Sequence, residues 1–213
     1  APSAITSFLA ATATKVAIYV MLRFLFSVFQ PGFLAEVPTL DLILYPFAIL
    51  AMFAASYTAI LQRDLKRMLA YSSIGQVGYM LLGIALLSES GLMATMIHLF
   101  NHGITKAALF MGVGVYVLNG GGSFYHNLRG RGKTMPWTSA AMVVAGLSLI
   151  GVPGTAGFLS KWLLVEATLE QGLWPIALLI VASSLLAVIY VWKFALQKVR
   201  KFLASNLSIC VKN

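Results

Sequence analysis

Long apolar runs with few internal charges most restrict the folds open to this chain. Only 10% of its 213 residues are charged, and 60% are hydrophobic. Soluble domains carry about 25% charged residues, so a soluble fold of this size would lack the charges to cover its surface. The composition therefore indicates that a lipid bilayer is the solvent for much of the chain.

A bilayer leaves only two backbone architectures, because every backbone polar group in it needs an internal partner. These are α-helices and closed β-barrels. The apolar runs here are continuous and do not alternate with period two, which favours helices. We expect an all-α membrane protein with about six transmembrane helices of roughly 20 residues or more. The predicted spans cover residues 3–29, 39–61, 68–87, 92–118, 136–171 and 174–197.

The fifth predicted span is too long for one straight crossing, and it contains a cluster of helix-breaking residues. Gly151, Pro153, Gly154 and Gly157 lie near its centre. Proline removes a helix hydrogen bond, and glycine relaxes the backbone. We therefore predict two half-helices joined by an unwound break within residues 151–157, the kind of break that transporters place at ion sites.

The net charge of +9 raises the question of nucleic acid binding, but the charges follow a membrane topology pattern. The connections on one predicted side carry Arg63, Lys66, Arg67, Arg129, Arg131, Lys133, Lys198, Arg200, Lys201 and Lys212. The opposite connections carry Glu36, Asp41 and Glu89 and no Lys or Arg, with Arg23 as the one exception near the outer end of the first span. We expect no nucleic acid partner, a cell inner membrane location, and both ends of the chain on the cytoplasmic side.

Nothing in the sequence predicts a cofactor or a metal site. Cys210 is the only cysteine, so it has no partner for an internal disulfide, and no cluster with metal-ligand spacing stands out. The chain lacks an initiator Met and begins almost directly in an apolar run. We expect it to be an internal or C-terminal piece of a longer protein.

Five basic side chains single themselves out at membrane depth, away from the ends of the predicted spans, where charge is costly. They are Lys15 in the first span, His98, His102 and Lys106 in the fourth, and Lys161 just after the break. The spacing of four residues between the three in the fourth span puts them on one helix face. A lysine at a helix centre costs about 2.5–3.5 kcal/mol on translocon scales. The simpler alternatives are lysines that snorkel to an interface and histidines that serve only structure.

The chemistry of these groups predicts a proton relay. Burial disfavours the charged form of an amine, and histidine exchanges protons near neutral pH, so a water-bridged chain of them can pass protons. We place Lys161 at the releasing end, beside the N-terminal end of the second half-helix, with Lys106 central. No acidic residue lies at mid-depth in the predicted spans, so we expect the counter-charges to lie outside this chain.

The same residues carry a family resemblance over nearly the whole chain. The matching stretches are APS at 1–3, ATK at 13–15, DLKRMLAYSS at 64–73, NH at 101–102, KAALF at 106–110, GVP at 151–153 and GFLSKW at 157–162. They resemble the second, C-terminal half of the antiporter-like membrane subunits shared by Mrp-type monovalent cation/proton antiporters, respiratory complex I (NADH:quinone oxidoreductase) and membrane-bound hydrogenases. MPW at 135–137 and GFLSKW look most like the D-type subunits of the Mrp antiporters.

The resemblance implies a fold of two inverted five-helix repeats, each with one broken helix. Residues 1–29 would then be the last helix of the first repeat, residues 39–197 the second repeat, and residues 198–213 a cytoplasmic tail. Lys15 would lie toward the first repeat on a polar axis that continues through the histidines, Lys106 and Lys161. The implied partners are other membrane subunits of a hetero-oligomeric complex, the lipid bilayer, protons, and Na⁺ or K⁺.

Three functions are compatible with these features. The first is proton translocation in a monovalent cation/proton antiporter subunit that has no catalytic site of its own. The second is proton pumping in a redox complex of the complex I or membrane-bound hydrogenase type, built on the same module, so that the chain would belong to an NADH:quinone oxidoreductase. A membrane receptor or scaffold is a remote third, because it would have no use for three buried lysines and a broken helix.

The topology is tested by cysteine accessibility labelling in a Cys210→Ser background. We expect Lys133→Cys to react only with reagent on the cytoplasmic side and Glu89→Cys only with reagent on the other side, because basic connections stay inside. The reverse labelling pattern would overturn the orientation.

Overall fold

The chain folds into a bundle of helices. The computed structural model describes residues 3–29, 39–119, 122–128 and 134–210, with side chains described for residues 5–29, 42–119, 122–125, 127 and 134–193. Within these residues it has seven α-helices and no β-strand: α1 Ser3–Arg23, α2 Thr39–Leu61, α3 Leu65–Ala85, α4 Glu89–Leu118, α5 Pro136–Ile150, α6 Ala156–Glu170 and α7 Trp174–Cys210. A π-helical turn, Phe24–Val28, prolongs α1, and a 3₁₀ turn, Tyr125–Leu128, lies between α4 and α5.

Four of the described helices are long and apolar enough to cross a membrane. Their apolar segments are Ile5–Val28, Leu42–Leu61, Leu65–Ala85 and Trp174–Lys193. Helix α4 has 30 residues, which is more than the roughly 20 that a crossing needs, and it carries the polar side chains His98, His102 and Lys106. Large apolar side chains such as Phe8, Phe47 and Trp192 are exposed along the bundle. The predicted class, an all-α membrane protein, is confirmed.

Helix α4 occupies the centre of the bundle. It packs against α1, α3, α5 and α6, while α2 packs on α3, and α7 closes the bundle against α2, α5 and α6. Two glycines of α3 allow close helix packing. A Cβ added to Gly78 would lie 2.8 Å from the Ala48 carbonyl oxygen of α2, and one added to Gly83 would lie 2.8 Å from the Gly91 carbonyl oxygen of α4. The polar face of α4 is therefore enclosed by neighbouring helices.

The predicted break in the fifth span is confirmed. Helix α5 ends at Ile150 and α6 begins at Ala156, so each half has 15 residues. Gly151 ends α5 in the left-handed region at φ 89°, and Gly154 takes φ 88° in the turn, a conformation that glycine adopts without steric cost. Pro153 lies between them. The chain therefore turns in the five residues 151–155 before it resumes as a helix.

Gly157 lets the two halves approach each other. A Cβ at this position would lie 1.8 Å from the carbonyl oxygen of Ser148 on α5, a distance that no side chain can occupy. The Gly157 N–H also donates a hydrogen bond to Ser148 Oγ at 3.2 Å, which satisfies one of the free donors at the start of α6. The end of one half-helix is thus packed directly on the beginning of the other.

Three helix boundaries differ from the predicted ones by three residues or more, and one of them is the start of α4, at Glu89 instead of residue 92. Helix α3 begins at Leu65, before the basic residues rather than after them, because Asp64 caps it: its Oδ1 accepts from the N–H groups of Lys66 at 2.8 Å and Arg67 at 3.3 Å. Side-chain caps of this kind satisfy the free donors of a helix start. Helix α7 continues to Cys210, past the predicted end of the sixth span at residue 197.

We expect Gly157→Ala to destabilise the protein, because the added methyl group forces the half-helices apart. The usual cost of overpacking is about 1–3 kcal/mol. The measurement is the amount and thermal stability of the assembled, detergent-purified protein. Gly75→Ala is the control, since a Cβ there meets its nearest atom at an ordinary 3.5 Å. Equal stability of the two variants would contradict the close approach.

Candidate functional site

The five basic residues predicted for the relay are all enclosed by the bundle. Lys15 comes from α1, His98, His102 and Lys106 from α4, and Lys161 from α6. Their exposed fractions are 7%, 6%, 3%, 0% and 6%, in that order. A snorkelling lysine keeps its charged end exposed, and none of these three does. The structure thus places every predicted residue inside, and their role in proton transfer stays a prediction.

Lys106 is held by helix α3 through neutral oxygens. Its Nζ donates to the carbonyl oxygen of Leu69 at 2.7 Å and to Ser72 Oγ at 2.5 Å. The same carbonyl also accepts from the hydroxyls of Ser72 at 3.0 Å and Ser73 at 3.1 Å. Two serines in an apolar helix therefore create a small polar patch that faces the lysine of α4.

Lys15 lies at the contact between α1 and α4. Its Nζ donates to the carbonyl oxygen of Ala10, one turn earlier on its own helix. A Cβ added to Gly103 of α4 would lie 3.9 Å from Lys15 Cε and 3.5 Å from the carbonyl oxygen of Ala11. The lysine therefore runs along α1 beside α4.

His98 ties α4 to the beginning of α6. Its Nδ1 lies 2.8 Å from Ser160 Oγ, and Ser160 Oγ donates to the Gly157 carbonyl oxygen at 3.1 Å. The hydroxyl has one proton, so when it is given to Gly157 the bond to the histidine must come from Nδ1–H. In that tautomer Nε2 is an acceptor, and it is buried without a hydrogen-bond partner among the described residues. The ring makes a T-shaped contact with that of Tyr79, with 5.8 Å between the ring centroids.

His102 has no hydrogen-bond partner at either ring nitrogen among the described residues. Its ring lies parallel to that of His98, with centroids 6.2 Å apart and an interplanar angle of 2°. An unsatisfied buried polar group costs about 1–3 kcal/mol, and ordered water is the usual way in which proteins avoid this cost. The geometry therefore calls for water beside His102.

Lys161 closes the end of α5, which differs from the sequence prediction. Its Nζ donates to the carbonyl oxygens of Leu149 at 3.2 Å and Ile150 at 2.8 Å and to Ser184 Oγ at 3.3 Å. We expected the ammonium beside the N-terminal end of α6, and it lies instead at the C-terminal end of α5. Helical side chains point toward the N-terminus of their helix, so Lys161 reaches back across the break to the negative end of the preceding half-helix.

Tyr79 of α3 links the break to the histidines. Its ring lies 4.7 Å from Lys161 Nζ, and it makes a T-shaped contact with the His98 ring. Its hydroxyl is 3.4 Å from Ser184 Oγ, the same hydroxyl that receives a bond from Lys161. The tyrosine therefore separates two of the predicted relay groups while it contacts both of them.

Sequence reasoning missed the neutral partners of the basic groups. Within the described residues no hydrogen bond joins any two of the five, and the intervening polar atoms belong to Ser72, Tyr79, Ser160 and Ser184. Serine and tyrosine are ordinary residues in apolar helices, so their sequence signal is weak. Only Ser160, next to Lys161 in the chain, was open to prediction, because the others meet the lysines through tertiary packing.

Comparison with known proteins identifies the family. Residues 1–187 match the family model described as the transmembrane part of NADH:quinone oxidoreductase and Mrp antiporter proteins. The chain belongs to this family. The match confirms the resemblance seen in the sequence motifs.

Similar proteins of this family come from both redox complexes and antiporters. The chain is 40% identical over 192 residues to NADH-quinone oxidoreductase subunit N of Desulforudis audaxviator, across 90% of this chain and 38% of that protein. It is 34% identical over 194 residues to the D-type subunit of the Na⁺/H⁺ antiporter of Alkalihalophilus pseudofirmus, across 90% of this chain and 38% of that protein. It superposes on a chain of the Mrp complex of a Dietzia species with a TM-score of 0.83 at 29% identity, across 92% of this chain and 36% of that one. The chain thus spans less than two fifths of each of these proteins.

We expect an experimental density map of the protein to show ordered water within hydrogen-bond distance of Nδ1 or Nε2 of His102. The reason is the cost of leaving both nitrogens unpaired. Replacing His102 with Phe, which is apolar, should remove that density and leave the contact between His98 and Ser160 in place. A map that resolves waters elsewhere in the bundle but none at His102 would contradict this expectation.

Proposed function

We propose that this chain is part of a proton-translocating membrane subunit of a monovalent cation/proton antiporter, in which Lys15, His98, His102, Lys106 and Lys161 form the proton relay. The observation that carries the proposal is the burial of three lysines whose hydrogen-bond partners are all neutral. The similarity to a D-type antiporter subunit and to a chain of an Mrp complex supports the assignment.

Neutral partners suit a group that must gain and lose a proton. An ammonium paired with a buried carboxylate would leave an uncompensated charge whenever the lysine gave up its proton, and such charges are strongly destabilising. The Leu69 carbonyl and the Ser72 hydroxyl accept from Lys106, and an amine can still donate to them after it is deprotonated. The lysine sites can therefore hold either protonation state without a large change in packing.

The order of the relay follows from the helices that carry its members. Lys15 on α1 lies at the side where the first repeat would pack, Lys106 and the two histidines lie on the central α4, and Lys161 lies at the break. Water beside the unpaired nitrogens of His98 and His102 would bridge the gaps. In this arrangement Lys161 is the releasing end.

The proposal extends to topology and partners. Residues 1–29 would close the first repeat, residues 39–197 would form the second, and residues 198–213 would be a cytoplasmic tail. The protein would function in a cell inner membrane with its basic connections inside. Other membrane subunits would complete the complex, with protons and Na⁺ or K⁺ as the transported ions.

A second candidate function is proton pumping by a redox-driven complex of the complex I type. The observation in its favour is the 40% identity to an NADH-quinone oxidoreductase subunit N. The same relay would serve both functions, and only the partner proteins differ. Mass spectrometry of the subunits that co-purify with this chain separates the two, since a redox complex must contain subunits that bind redox centres.

We expect Lys106→Ala and Lys161→Ala to abolish proton-coupled transport in the intact complex while assembly is retained, because each removes one step of the relay. Transport is measured in vesicles with a pH-sensitive dye, and assembly by the amount of purified complex. Arg67→Ala is the matched control, since it removes one positive charge from an exposed side chain and should leave transport unchanged. Normal transport in either lysine variant would refute the relay.

A further inference from the structure

Four electron-rich groups converge on the ammonium of Lys161. They are the last carbonyl oxygens of α5, from Leu149 and Ile150, the hydroxyl oxygen of Ser184 on α7, and the ring of Tyr79 on α3. None of the four belongs to α6, the helix that carries Lys161. The pocket is thus built around a position for a single positive charge.

The chemistry of this pocket matches that of a site for a small monovalent cation. Carbonyl and hydroxyl oxygens are ligands for hard cations, and an aromatic face attracts cations as well. The free carbonyls exist because α5 stops at Ile150, and ends of broken helices coordinate Na⁺ in transporters. Among the described residues no carboxylate contacts Lys161, so the pocket offers neutral ligands, which suits one charge rather than two.

We propose that the oxygens of Leu149, Ile150 and Ser184, together with the Tyr79 ring, form a binding site for Na⁺ or K⁺ that the Lys161 ammonium occupies in competition with the ion. The inference rests on the proposed antiport function and names the place where cation and proton exclude each other. When Lys161 is protonated, its ammonium fills the site. When its amine is neutral and turns aside, the ion takes the same ligands.

Competition at one site gives a direct physical basis for exchange. A cation and an ammonium cannot occupy the same oxygens together, so the arrival of one favours the departure of the other. Differential binding of this kind is what couples two ligands. Gly151 supports the arrangement, because a Cβ there would lie 3.0 Å from Lys161 Cδ and would restrict the side chain's movement past the end of α5.

The oxygens around Lys106 provide a matched comparison. There the ammonium meets one carbonyl, from Leu69, and one hydroxyl, from Ser72. The carbonyl lies inside the continuous helix α3 and is already shared with two serine hydroxyls. Removal of Lys106 would therefore free fewer oxygen ligands than removal of Lys161. None of the freed oxygens would belong to a helix end.

The test measures equilibrium binding of ²²Na⁺ and ⁸⁶Rb⁺, the latter standing in for K⁺, to the purified intact complex in choline chloride. We expect Lys161→Ala and Lys161→Ser to bind one more ion per complex than Lys106→Ala does, because the ligands are vacated. Adding Ser184→Ala to Lys161→Ala should weaken this extra binding about tenfold, the effect of losing a ligand worth about 1.4 kcal/mol. Lys161→Arg should show no extra ion, since its guanidinium stays charged and keeps the site filled.

The outcomes separate the site from the relay. Equal ion binding by the Lys161 and Lys106 variants would overturn the cation site, whatever their transport activity. Extra binding that is unchanged by Ser184→Ala would overturn it too, because the ion would then lie elsewhere. Loss of proton-coupled transport in Lys161→Ala without any extra ion would leave the relay intact and refute only the shared site. If Lys161→Ala retained transport and bound an extra ion, the relay would be refuted and the cation site would be supported.

Discussion

The contact between Lys161 and the end of α5 is the interaction on which this architecture depends. A helix that stops inside a bundle leaves carbonyl oxygens without partners, and in an apolar environment each such group is costly. Lys161 donates to two of them, from Leu149 and Ile150. The lysine in turn needs oxygens to solvate its ammonium. The break and the buried charge therefore stabilise each other.

The same arrangement recurs at another helix end. Lys193 of α7 donates to the carbonyl oxygens of Ile60 at 2.8 Å and Gln62 at 2.9 Å, where α2 ends. Lysine at a helix C-terminus is favourable both for the free carbonyls and for the helix dipole. Each lysine also lies near a tyrosine ring, Tyr79 for Lys161 and Tyr125 for Lys193. The two contacts differ in that Lys161 is more deeply buried and also donates to Ser184. At the break, a lysine that stabilises a helix end is thus surrounded by groups that can also bind an ion.

Much of this could be predicted from the sequence, because it rests on local signals. Lysines in apolar runs predicted buried cations, and the glycines and proline of residues 151–157 predicted the break. The direction of Lys161 could not be predicted, since it depends on how α6 turns back against α5, which Gly157 permits through a contact with Ser148. The start of α3 lies before the predicted one because the Asp64 cap sets it, and its first turn contains two basic residues that precede the apolar run. Ser72 and Ser184 were missed because they meet the lysines through packing between helices.

The two histidines of α4 look equivalent in the sequence, but they have different surroundings in the structure. They lie one turn apart on the same face, with parallel rings. His98 is fixed by Ser160, which also contacts the carbonyl of Gly157, so it serves the packing of α4 on α6 and transmits any shift at the break. Among the described residues His102 has neither nitrogen paired, and ordered water is the usual partner of such a group. A histidine bound to water can rotate and exchange protons with little rearrangement, whereas movement of His98 requires Ser160 to release it. We therefore expect His102 to be the mobile member of the pair and His98 the one through which the state of the break reaches the centre of the bundle.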